Sequence, residues 1–361
     1  MAGLYVHIPF CKKRCLYCDF FSTTQLARRE EYVEALFKEI AMRRNEASEP
    51  IQTVYIGGGT PSTLDAADIE RIVRAVGLQE AEEVTMEMNP GDATREYLQA
   101  LRQTGINRLS IGIQSFQDEL LQLIGRRHNA KQAIEAVRMA QEVGFDNISV
   151  DLMYALPTQT MTQWEADIET ALSLGVQHIS SYGLMYEEGT ALTKMVENGE
   201  LEAIDEDTEN AMYDRLCERL KQAGFVHYEV SNFALPGREA KHNSNYWNGT
   251  PYIGVGAGAH SYIGKVRSWN PDDLEAYIQG MNDGSLKRES ETLSDEDLYN
   301  EQIMLGLRTS KGCRPSPSVD RRLTVGKLRE KEWIRETEDG RIVATQKGLH
   351  VLNRIIEELM V

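Results

Sequence analysis

From residue 3 to about residue 235, short runs rich in β-branched residues alternate with stretches in which apolar residues recur every three or four positions. This alternation is typical of repeated βα units around a parallel sheet. The predicted strands are 4–8, 53–56, 84–88, 108–113, 147–152 and 178–182. The predicted helices are 29–44, 65–76, 94–103, 130–143, 162–174 and 208–223. Such a repeat fits a full or partial barrel, and a doubly wound open sheet is the alternative.

The chain after this repeat region is expected to form two further parts. Residues 236–290 are dense in Gly, Asn, Tyr and Trp with little periodicity, which predicts a bridging segment that carries ligand contacts. Residues 291–361 predict a small C-terminal domain, in which two short strands flank Asp339-Gly340 as a hairpin. The helices expected there are 296–307, 325–331 and 347–359. The expected fold class is therefore α/β, with a partial parallel (β/α)6 TIM-like barrel in residues 1–235 and a winged-helix-like C-terminal domain.

The charge balance argues against nucleic acid as a main partner. The 361 residues include 39 Lys and Arg against 56 Asp and Glu, and the formal net charge of -17 repels a phosphate backbone. A winged helix in so acidic a chain is expected to serve packing, and DNA binding is the alternative. The N-terminus is too weakly apolar for a secretory signal, and no stretch approaches the roughly 20 apolar residues of a membrane span. We therefore expect a cytoplasmic protein.

Three cysteines lie close together near the N-terminus. Cys11, Cys15 and Cys18 have the spacing C-x3-C-x2-C in a loop just after the first predicted strand. One loop with three thiolates suits a 4Fe-4S cluster whose fourth iron stays open to a small-molecule ligand. A zinc site is the alternative, but zinc usually takes a fourth Cys or His, and His7 would supply it only by turning back from its strand.

The residues around these cysteines resemble a known family. The spacing is the signature of the radical S-adenosylmethionine (SAM) enzymes, and the run from Tyr5 to Cys11, YVHIPFC, is similar to a phrase of one branch. That branch comprises the oxygen-independent coproporphyrinogen oxidases and their HemW-type heme chaperone relatives. Later phrases of the family follow in the same order over most of the chain. The resemblance implies that SAM chelates the open iron through its amino and carboxylate groups.

Residues at the ends of the predicted strands outline one binding site. The run 57–60, Gly-Gly-Gly-Thr, predicts a turn where the backbone can approach a ligand closely. Glu87, Gln114 and Asp151 each end a predicted strand, and in a barrel such ends meet at one face. Arg126 suits a carboxylate through bidentate hydrogen bonds. The resemblance implies SAM contacts from Tyr5, Tyr17, Gly58, Gly59, Thr60, Glu87, Gln114, Arg126 and Asp151.

Two features separate the branches of this family. In the oxidases a further cysteine commonly follows the third after one residue, whereas Phe20 occupies that position here. We also expect the longer N-terminal extension of the oxidases to be absent. The run 242–247, HNSNYW, fits the H-N-x-x-Y-W phrase of the chaperone branch. Imidazole can ligate heme iron and aromatic rings can stack on the macrocycle, so the resemblance implies heme contact by His242, with a capping or core histidine as the alternative.

The resemblance thus implies a heme chaperone that transfers heme to apo-hemoproteins such as respiratory hemoproteins, and no catalytic residue is assigned. The alternative is an enzyme, oxygen-independent coproporphyrinogen III dehydrogenase. The run 12–14, Lys-Lys-Arg, indicates either solvated surface charge, which is the more common case, or a docking tip for an acidic electron donor such as a flavodoxin. The sequence leaves a homodimer open. Cys217 is expected to pack, and Cys313 to be a loop thiol. The glycines of 254–258 lack the strand-to-helix setting of a dinucleotide site.

Overall fold

The computed structural model describes residues 2–77 and 81–361, and most of its strands form one sheet. This sheet contains twelve strands, and a two-stranded hairpin lies near the C-terminus. The strands in chain order are β1 (Ala2–Ile8), β2 (Ile51–Gly58), β3 (Glu83–Met88), β4 (Arg108–Gln114), β5 (Ile148–Tyr154), β6 (His178–Gly183), β7 (Val226–Glu229), β8 (Asn232–Ala234), β9 (Tyr252–Val255), β10 (His260–Ile263), β11 (Val266–Trp269), β12 (Glu289–Thr292), β13 (Ile334–Glu336) and β14 (Ile342–Ala344).

Strands β1 to β6 run parallel and lie side by side in chain order, which confirms the predicted repeat. β8 and β7 continue the β6 edge in antiparallel pairing. At the other edge β9 pairs parallel with β1, and β10 to β12 follow antiparallel. A doubly wound sheet reverses its strand order at a switch point, and β1 to β6 do not. The outer strands β12 and β7 do not pair with each other among the described residues, so the barrel is partial.

Side chains alternate in polarity along the six parallel strands. Apolar positions such as Val54, Ile111 and Val150 pack in the core shared with the helices and are fully buried. The alternate positions face inward, where polar side chains such as Thr85 and Ser149 are fully buried too. A doubly wound sheet carries helices on both faces and has largely apolar strands. A polar inner face that is nevertheless buried indicates that the sheet curves around it.

The helices connect the strands and cover the outer face. They are α1 (Arg29–Arg43), α2 (Ala66–Val76), α3 (Arg95–Gln103), α4 (Asp118–Leu123), α5 (Ala130–Glu142), α6 (Met161–Ser173), α7 (Ala191–Glu197), α8 (Glu206–Gln222), α9 (Lys241–Trp247), α10 (Leu274–Asp283), α11 (Asp295–Leu307), α12 (Val319–Glu330), α13 (Gln346–Leu349) and α14 (Leu352–Leu359). Asn129 and Thr160 begin α5 and α6 with reciprocal side-chain caps. Within the described chain, no helix is long and apolar enough to span a bilayer.

The bridging segment is more regular than its sequence predicts. Residues 236–290 contain α9, α10 and the strands β9 to β11, and these strands extend the main sheet. The three strands are four residues long, too short for a period of two to stand out from the surrounding Gly, Asn and Tyr. The segment is therefore more regular than its sequence indicates, whereas its bridging role and the division of the chain at residues 235 and 290 stay predictions.

A buried ion pair fastens β9 and the turn after it to α1. Glu39 is 1% exposed, and its carboxylate accepts from Arg43 Nη1 at 2.8 Å and from Gly256 N at 2.7 Å. The same carboxylate accepts from Asn270 Nδ2 and Tyr277 OH, each at 2.7 Å. Glu39 thus accepts a hydrogen bond from the backbone of the glycine run 254–258, at Gly256 N. This agrees with the expectation that the run is not a dinucleotide site.

The C-terminal residues pack around a second core. α11 and α14 contribute Ile303, Leu307, Ile355 and Ile356, which are buried together with the hairpin residue Ile342. The hairpin β13–β14 is confirmed at its predicted place. The helix predicted over 347–359 is divided into α13 and α14, and α12 begins earlier than predicted.

We predict that Glu39→Gln lowers the free energy of unfolding by about 3 kcal/mol, because it leaves the buried Arg43 guanidinium without its closest counter-charge. The matched control is Glu34→Gln on the same helix, where an exposed pair with Arg71 is lost and the expected change is below about 1 kcal/mol. Urea unfolding of the three proteins measures both values. Equal losses in the two variants would contradict the structural role of Glu39.

Candidate functional site

The loop that carries the three cysteines is held by backbone hydrogen bonds at its ends and in its middle. Thr23 N donates to Pro9 O at 2.7 Å, and Cys11 N donates to Thr23 O at 2.9 Å. Leu16 N donates to Ile124 O at 3.1 Å. These bonds fix a compact loop directly after β1, at the carboxyl end of the parallel strands, where the sequence predicts the site.

The three thiols suit ligands of a cluster better than ligands of one ion. Burial raises the pKa of Cys11 and of Cys18, and the neighbouring thiols raise both further, so a metal that replaces the protons relieves an unfavourable ionisation. Over the residues that the structure describes, no three His, Cys, Asp or Glu side chains are close enough to hold one metal ion. In a cubane cluster each thiolate binds a different iron, so its ligands need not converge on one ion.

His7 is not available as a fourth ligand. Its Nδ1 lies 2.9 Å from Tyr5 OH, and its Nε2 lies 3.0 Å from Phe21 O. Burial lowers the pKa of His7 to about 4, so the ring is neutral and both nitrogens are engaged. Phe20, at the position where the oxidases carry a further cysteine, is 72% exposed. The loop therefore offers three sulfur ligands.

The basic tip of this loop is smaller than its sequence predicts. Lys12 Nζ forms an ion pair with Asp92 Oδ1 at 2.7 Å, and Arg127 binds the same carboxylate at 2.9 Å. Lys13 and Arg14 are exposed and have no ion pair within the described residues. Two of the three cations are therefore free to meet a partner.

The glycine turn after β2 lies against the cysteine loop. A Cβ on Gly58 would lie 2.6 Å from the His7 ring, and a Cβ on Gly59 would lie 3.1 Å from Cys11 Sγ. Gly58 also has a φ of +115°, which residues with a side chain rarely adopt. Thr60 follows, with its hydroxyl 3.4 Å from Cys11 Sγ. The backbone can approach the cluster loop this closely only because side chains are absent here.

Glu87 ends β3 with its carboxylate in the mouth of the barrel. It accepts from Tyr55 OH at 2.7 Å and from Gly58 N at 3.1 Å. Removal from bulk water raises the pKa of Glu87 to about 7; the bond from Tyr55 opposes this shift, and the neighbouring Asp151 carboxylate adds to it. A cation bound beside Glu87 would restore its ionised form.

Asp151 and Arg126 complete the charged part of the site. Asp151 on β5 accepts from Ser110 Oγ at 3.1 Å, and burial raises its pKa. Arg126 donates through Nη1 to Cys15 Sγ at 3.3 Å and through Nη2 to the carbonyl of Gly112. Its Nε is buried and has no partner in the described part of the chain. The site thus holds two carboxylates whose pKa values are raised by burial, although the nearby Arg108 and Arg126 guanidiniums oppose that shift for Asp151, and it holds a guanidinium with one unused donor.

Gln114 ends β4 in a strained conformation. Its φ of +75° lies in the left-handed region, and the pairing of β4 with β5 shifts register between Gly112 and Gln114. Non-glycine residues are uncommon there, and such strain is often found at binding sites. The strain places Gln114 beside the Arg126 side chain, since a Cβ on Gly112 would lie 3.2 Å from both.

The residues that the resemblance assigns to SAM line one hollow. Every one of them is half-buried, whereas polar inner residues below them, such as Thr85 and Ser149, are fully buried. The hollow lies at the carboxyl ends of the strands, next to the cysteine loop. SAM carries a carboxylate and a sulfonium cation, which match the unused donor of Arg126 and the carboxylates of Glu87 and Asp151. The residues present therefore fit SAM.

Sequence reasoning missed several partners inside the barrel. Tyr55 binds Glu87, Ser110 binds Asp151, and Tyr5 meets the Tyr55 ring at a centroid distance of 6.2 Å. The alternation of inward and outward residues could have identified them, because Tyr55 and Ser110 occupy inward positions of predicted strands. The role of Tyr5 in SAM binding stays a prediction.

His242 lies at the opposite end of the barrel. Its Nδ1 is 3.0 Å from Thr53 Oγ1, and its Nε2 is 2.9 Å from Tyr246 OH. The N–H of His242 donates to Glu83 Oε1 at 2.8 Å, and its ring stacks on Tyr55 at 5.4 Å. Thr53 and Glu83 are near or at the starts of their strands, so α9 closes the end away from the cysteines. Burial lowers the pKa of His242 to about 3, which makes the ring neutral.

The structure therefore does not bring His242 together with the cluster and SAM residues. The side chain is 1% exposed, and both ring nitrogens have partners. Ligation of heme iron by His242 would require one of these hydrogen bonds to break.

Comparison with known proteins shows the family of the chain. The model of the radical SAM superfamily matches residues 5–171. Heme chaperone HemW of Lactococcus lactis is 39% identical over 85% of this chain and 82% of its own length, and HemW of Bacillus subtilis is 38% identical over 86% and 84%. Coproporphyrinogen III oxidase (HemN) of Escherichia coli, described as a radical SAM enzyme, has a similar fold, with a TM-score of 0.83 and 23% identity over 100% of this chain and 90% of that one. The chain therefore belongs to the radical SAM superfamily and, within it, to the HemW family.

Proposed function

We propose that this protein is a heme chaperone of the radical SAM type, which binds heme and transfers it to apo-hemoproteins such as respiratory hemoproteins. The observation that carries the proposal is the similarity of about 38–39% over most of the chain to relatives named heme chaperones. The exposed Phe20 at the position of the oxidases' further cysteine and the run HNSNYW agree with it. We place the protein in the cytoplasm.

In this proposal Cys11, Cys15 and Cys18 hold the 4Fe-4S cluster. Gly58, Gly59 and Thr60 form the cradle beside it, and Arg126 takes the carboxylate of SAM. Glu87 and Asp151 compensate the positive charge of its sulfonium, while Gln114, Tyr5 and Tyr17 line the remaining hollow. When bound, the cluster and SAM supply one-electron chemistry. The chain itself orients the ligand and keeps bulk water from the inner face, because polar residues below the hollow are fully buried.

Lys13 and Arg14 are the cations left to dock an acidic electron donor such as a flavodoxin. Their replacement by Glu should slow cluster reduction by a flavodoxin and leave reduction by dithionite unchanged. If flavodoxin reduced the cluster of the wild type and of the variant at equal rates, docking of this partner at Lys13 and Arg14 would be contradicted.

The cluster assignment predicts the effect of replacing the ligand Cys11 by serine. Anaerobically reconstituted wild type should contain about four irons per chain, and Cys11→Ser should lose most of the iron and sulfide because a two-ligand cluster is labile. Cys217→Ser is the control, since its thiol lies on α8, packs against the core and should not affect iron content. Iron and sulfide analysis measures both. Zinc without sulfide in the wild type would overturn the assignment.

SAM binding should depend on pH through Glu87. Its pKa of about 7 is raised in the ligand-free protein, and a cationic ligand favours the ionised form. Affinity should therefore be full above pH 7 and fall as the pH drops below it, by up to about tenfold per pH unit. Glu87→Gln should weaken binding by about 2 kcal/mol, roughly 30-fold, at high pH and reduce the pH dependence.

Glu229→Gln is the matched control for this measurement. Burial also raises the pKa of Glu229 to about 7, but its carboxylate bonds Asn232 at the β7–β8 edge of the sheet. Calorimetric titration with SAM on both sides of pH 7 should give wild-type behaviour for this variant. A wild-type profile that stays flat, or a Glu87→Gln profile of unchanged slope, would exclude the role of Glu87.

The function itself is tested with the complete, reconstituted protein. Heme should bind, and a heme-loaded sample mixed with an apo-hemoprotein should produce the absorbance spectrum of the holoprotein. The second function, oxidative decarboxylation, is favoured by the fold shared with the oxidase HemN. Anaerobic incubation with coproporphyrinogen III, reductant and SAM distinguishes the two. Substantial protoporphyrinogen formation would defeat the chaperone proposal, and its absence with successful heme transfer would support it.

A further inference from the structure

One buried carboxylate lies between the segments that carry the cluster and SAM residues. β3 ends at Met88, and the chain then forms the single helical turn Pro90–Asp92, which Asn89 caps by accepting from Gly91 N at 3.0 Å. This turn places Asp92 at the carboxyl ends of the strands, with a side chain that is 3% exposed. Asp92 is not among the residues that the resemblance assigns to SAM.

Side chains from three other segments bind this carboxylate. Lys12 Nζ donates to Asp92 Oδ1 at 2.7 Å, and Ser62 Oγ donates to Oδ2 at 2.9 Å. Arg127 donates to both oxygens, from Nη2 at 2.9 Å and from Nη1 at 3.3 Å, and such a fork fixes direction as well as distance. Burial opposes the ionisation of Asp92, but the bonds from Arg127 and Lys12 hold its pKa below the usual value. The carboxylate is therefore charged at neutral pH.

The two cations that bind Asp92 directly follow residues of the site. Lys12 follows Cys11 on the cysteine loop, and Arg127 follows Arg126 on the segment between α4 and α5. One carboxylate therefore restricts both backbone segments at once. The Arg127 side chain is 21% exposed and Lys12 is 46% exposed, so the bond to Arg127 is the better shielded of the two from water.

Ser62 connects the glycine turn to the same carboxylate. It lies two residues after Thr60, and its Oγ accepts from Asn89 N at 3.1 Å while it donates to Asp92. Asn89 in turn lies two residues after Glu87. The segment after β2 and the segment after β3 are thus joined at two points. Asp92 contacts the segments of the cysteine loop, the glycine turn and Arg126 from its own segment after Glu87.

We propose that Asp92 is a positioning residue for SAM, because its carboxylate holds the cysteine loop, the glycine turn and the Arg126 segment at the spacing that one shared ligand requires. The inference rests on the proposed function, in which SAM binds in this hollow, and adds a residue on which that binding depends. A ligand that contacts several segments binds more weakly when those segments move independently. Both oxygens of Asp92 are engaged, so it acts through its partners.

Asp92→Asn keeps the size of the side chain and removes its charge. In calorimetric titration SAM affinity should fall about tenfold, while iron and sulfide content stay at wild-type values. More SAM should then be needed to change the paramagnetic resonance spectrum of the reduced cluster, a change that reports SAM at the open iron.

Glu46→Gln is the matched control for this measurement. Glu46 also lies between two cations, Arg43 at 3.0 Å and Arg288 at 3.3 Å, but in the connection from α1 to β2, at the amino ends of the strands. It should bind SAM as the wild type does. Wild-type SAM affinity in Asp92→Asn, or an equal loss of affinity in Glu46→Gln, would overturn the positioning role.

A cycle with Arg127→Gln separates positioning from direct contact with SAM. Arg127→Gln should weaken SAM binding about fivefold, and the double variant should bind SAM as weakly as Asp92→Asn alone, because both changes break the same pair. Losses that multiply would show that Arg127 binds SAM independently of Asp92 and would overturn the inference.

Arg127→Gln also serves as the test if Asp92→Asn does not fold, since the Arg127 side chain is partly exposed. SAM affinity equal to that of the wild type would contradict the positioning role. If the wild type binds SAM and neither variant is weakened, the positioning role fails although the proposed function stands. Failure of the reconstituted wild type to bind SAM would overturn both.

Discussion

The register of six parallel strands in chain order places every second side chain inside the barrel, and the site depends on this constraint. Apolar residues must then occupy the other positions, which pack in the core shared with the helices. Inside, the polar residues at the carboxyl ends of the strands surround a hollow, and those nearer the amino ends are fully buried. Glu87 and Asp151 lie in this low-dielectric interior, and their pKa values are raised for that reason. A cationic ligand beside Glu87 would favour the ionised form of this carboxylate.

The cysteine loop and the glycine turn form a second constraint, which is steric. Gly58 and Gly59 leave the space that side chains would take, and Thr60 then reaches Cys11. The strained Gln114 and the fixed Arg126 approach from β4 and from the segment after α4. Sequence reasoning placed these residues at strand ends because a barrel brings such ends together. It did not foresee the hydrogen bonds of Tyr55 and Ser110, since an inward position does not reveal which partner a side chain meets.

Periodicity predicted the long elements well and the short ones poorly. The parallel strands and the six predicted helices are present, because five or more residues of alternation or three helical turns give a clear signal. Strands β7 to β12 and helices α4, α7 and α9 went unrecognised, since three to seven residues are too few for a period to stand out, and the ten-residue α10 was missed as well. For the same reason periodicity could not predict that His242 would lie far from the cysteines. Its neighbours in space, Thr53 and Glu83, come from distant parts of the chain.

Tyr55 is the one described side chain whose hydroxyl contacts Glu87 while its ring contacts His242. A shift of this ring that strengthens one contact must alter the other, because the phenol is rigid from Cβ to the oxygen. Linkage then requires symmetry: if SAM binding at the cysteine end alters the packing of His242 on Tyr55, a change in that packing must alter SAM affinity by the same free energy. The rigid ring of Tyr55 therefore connects the two ends of the barrel interior.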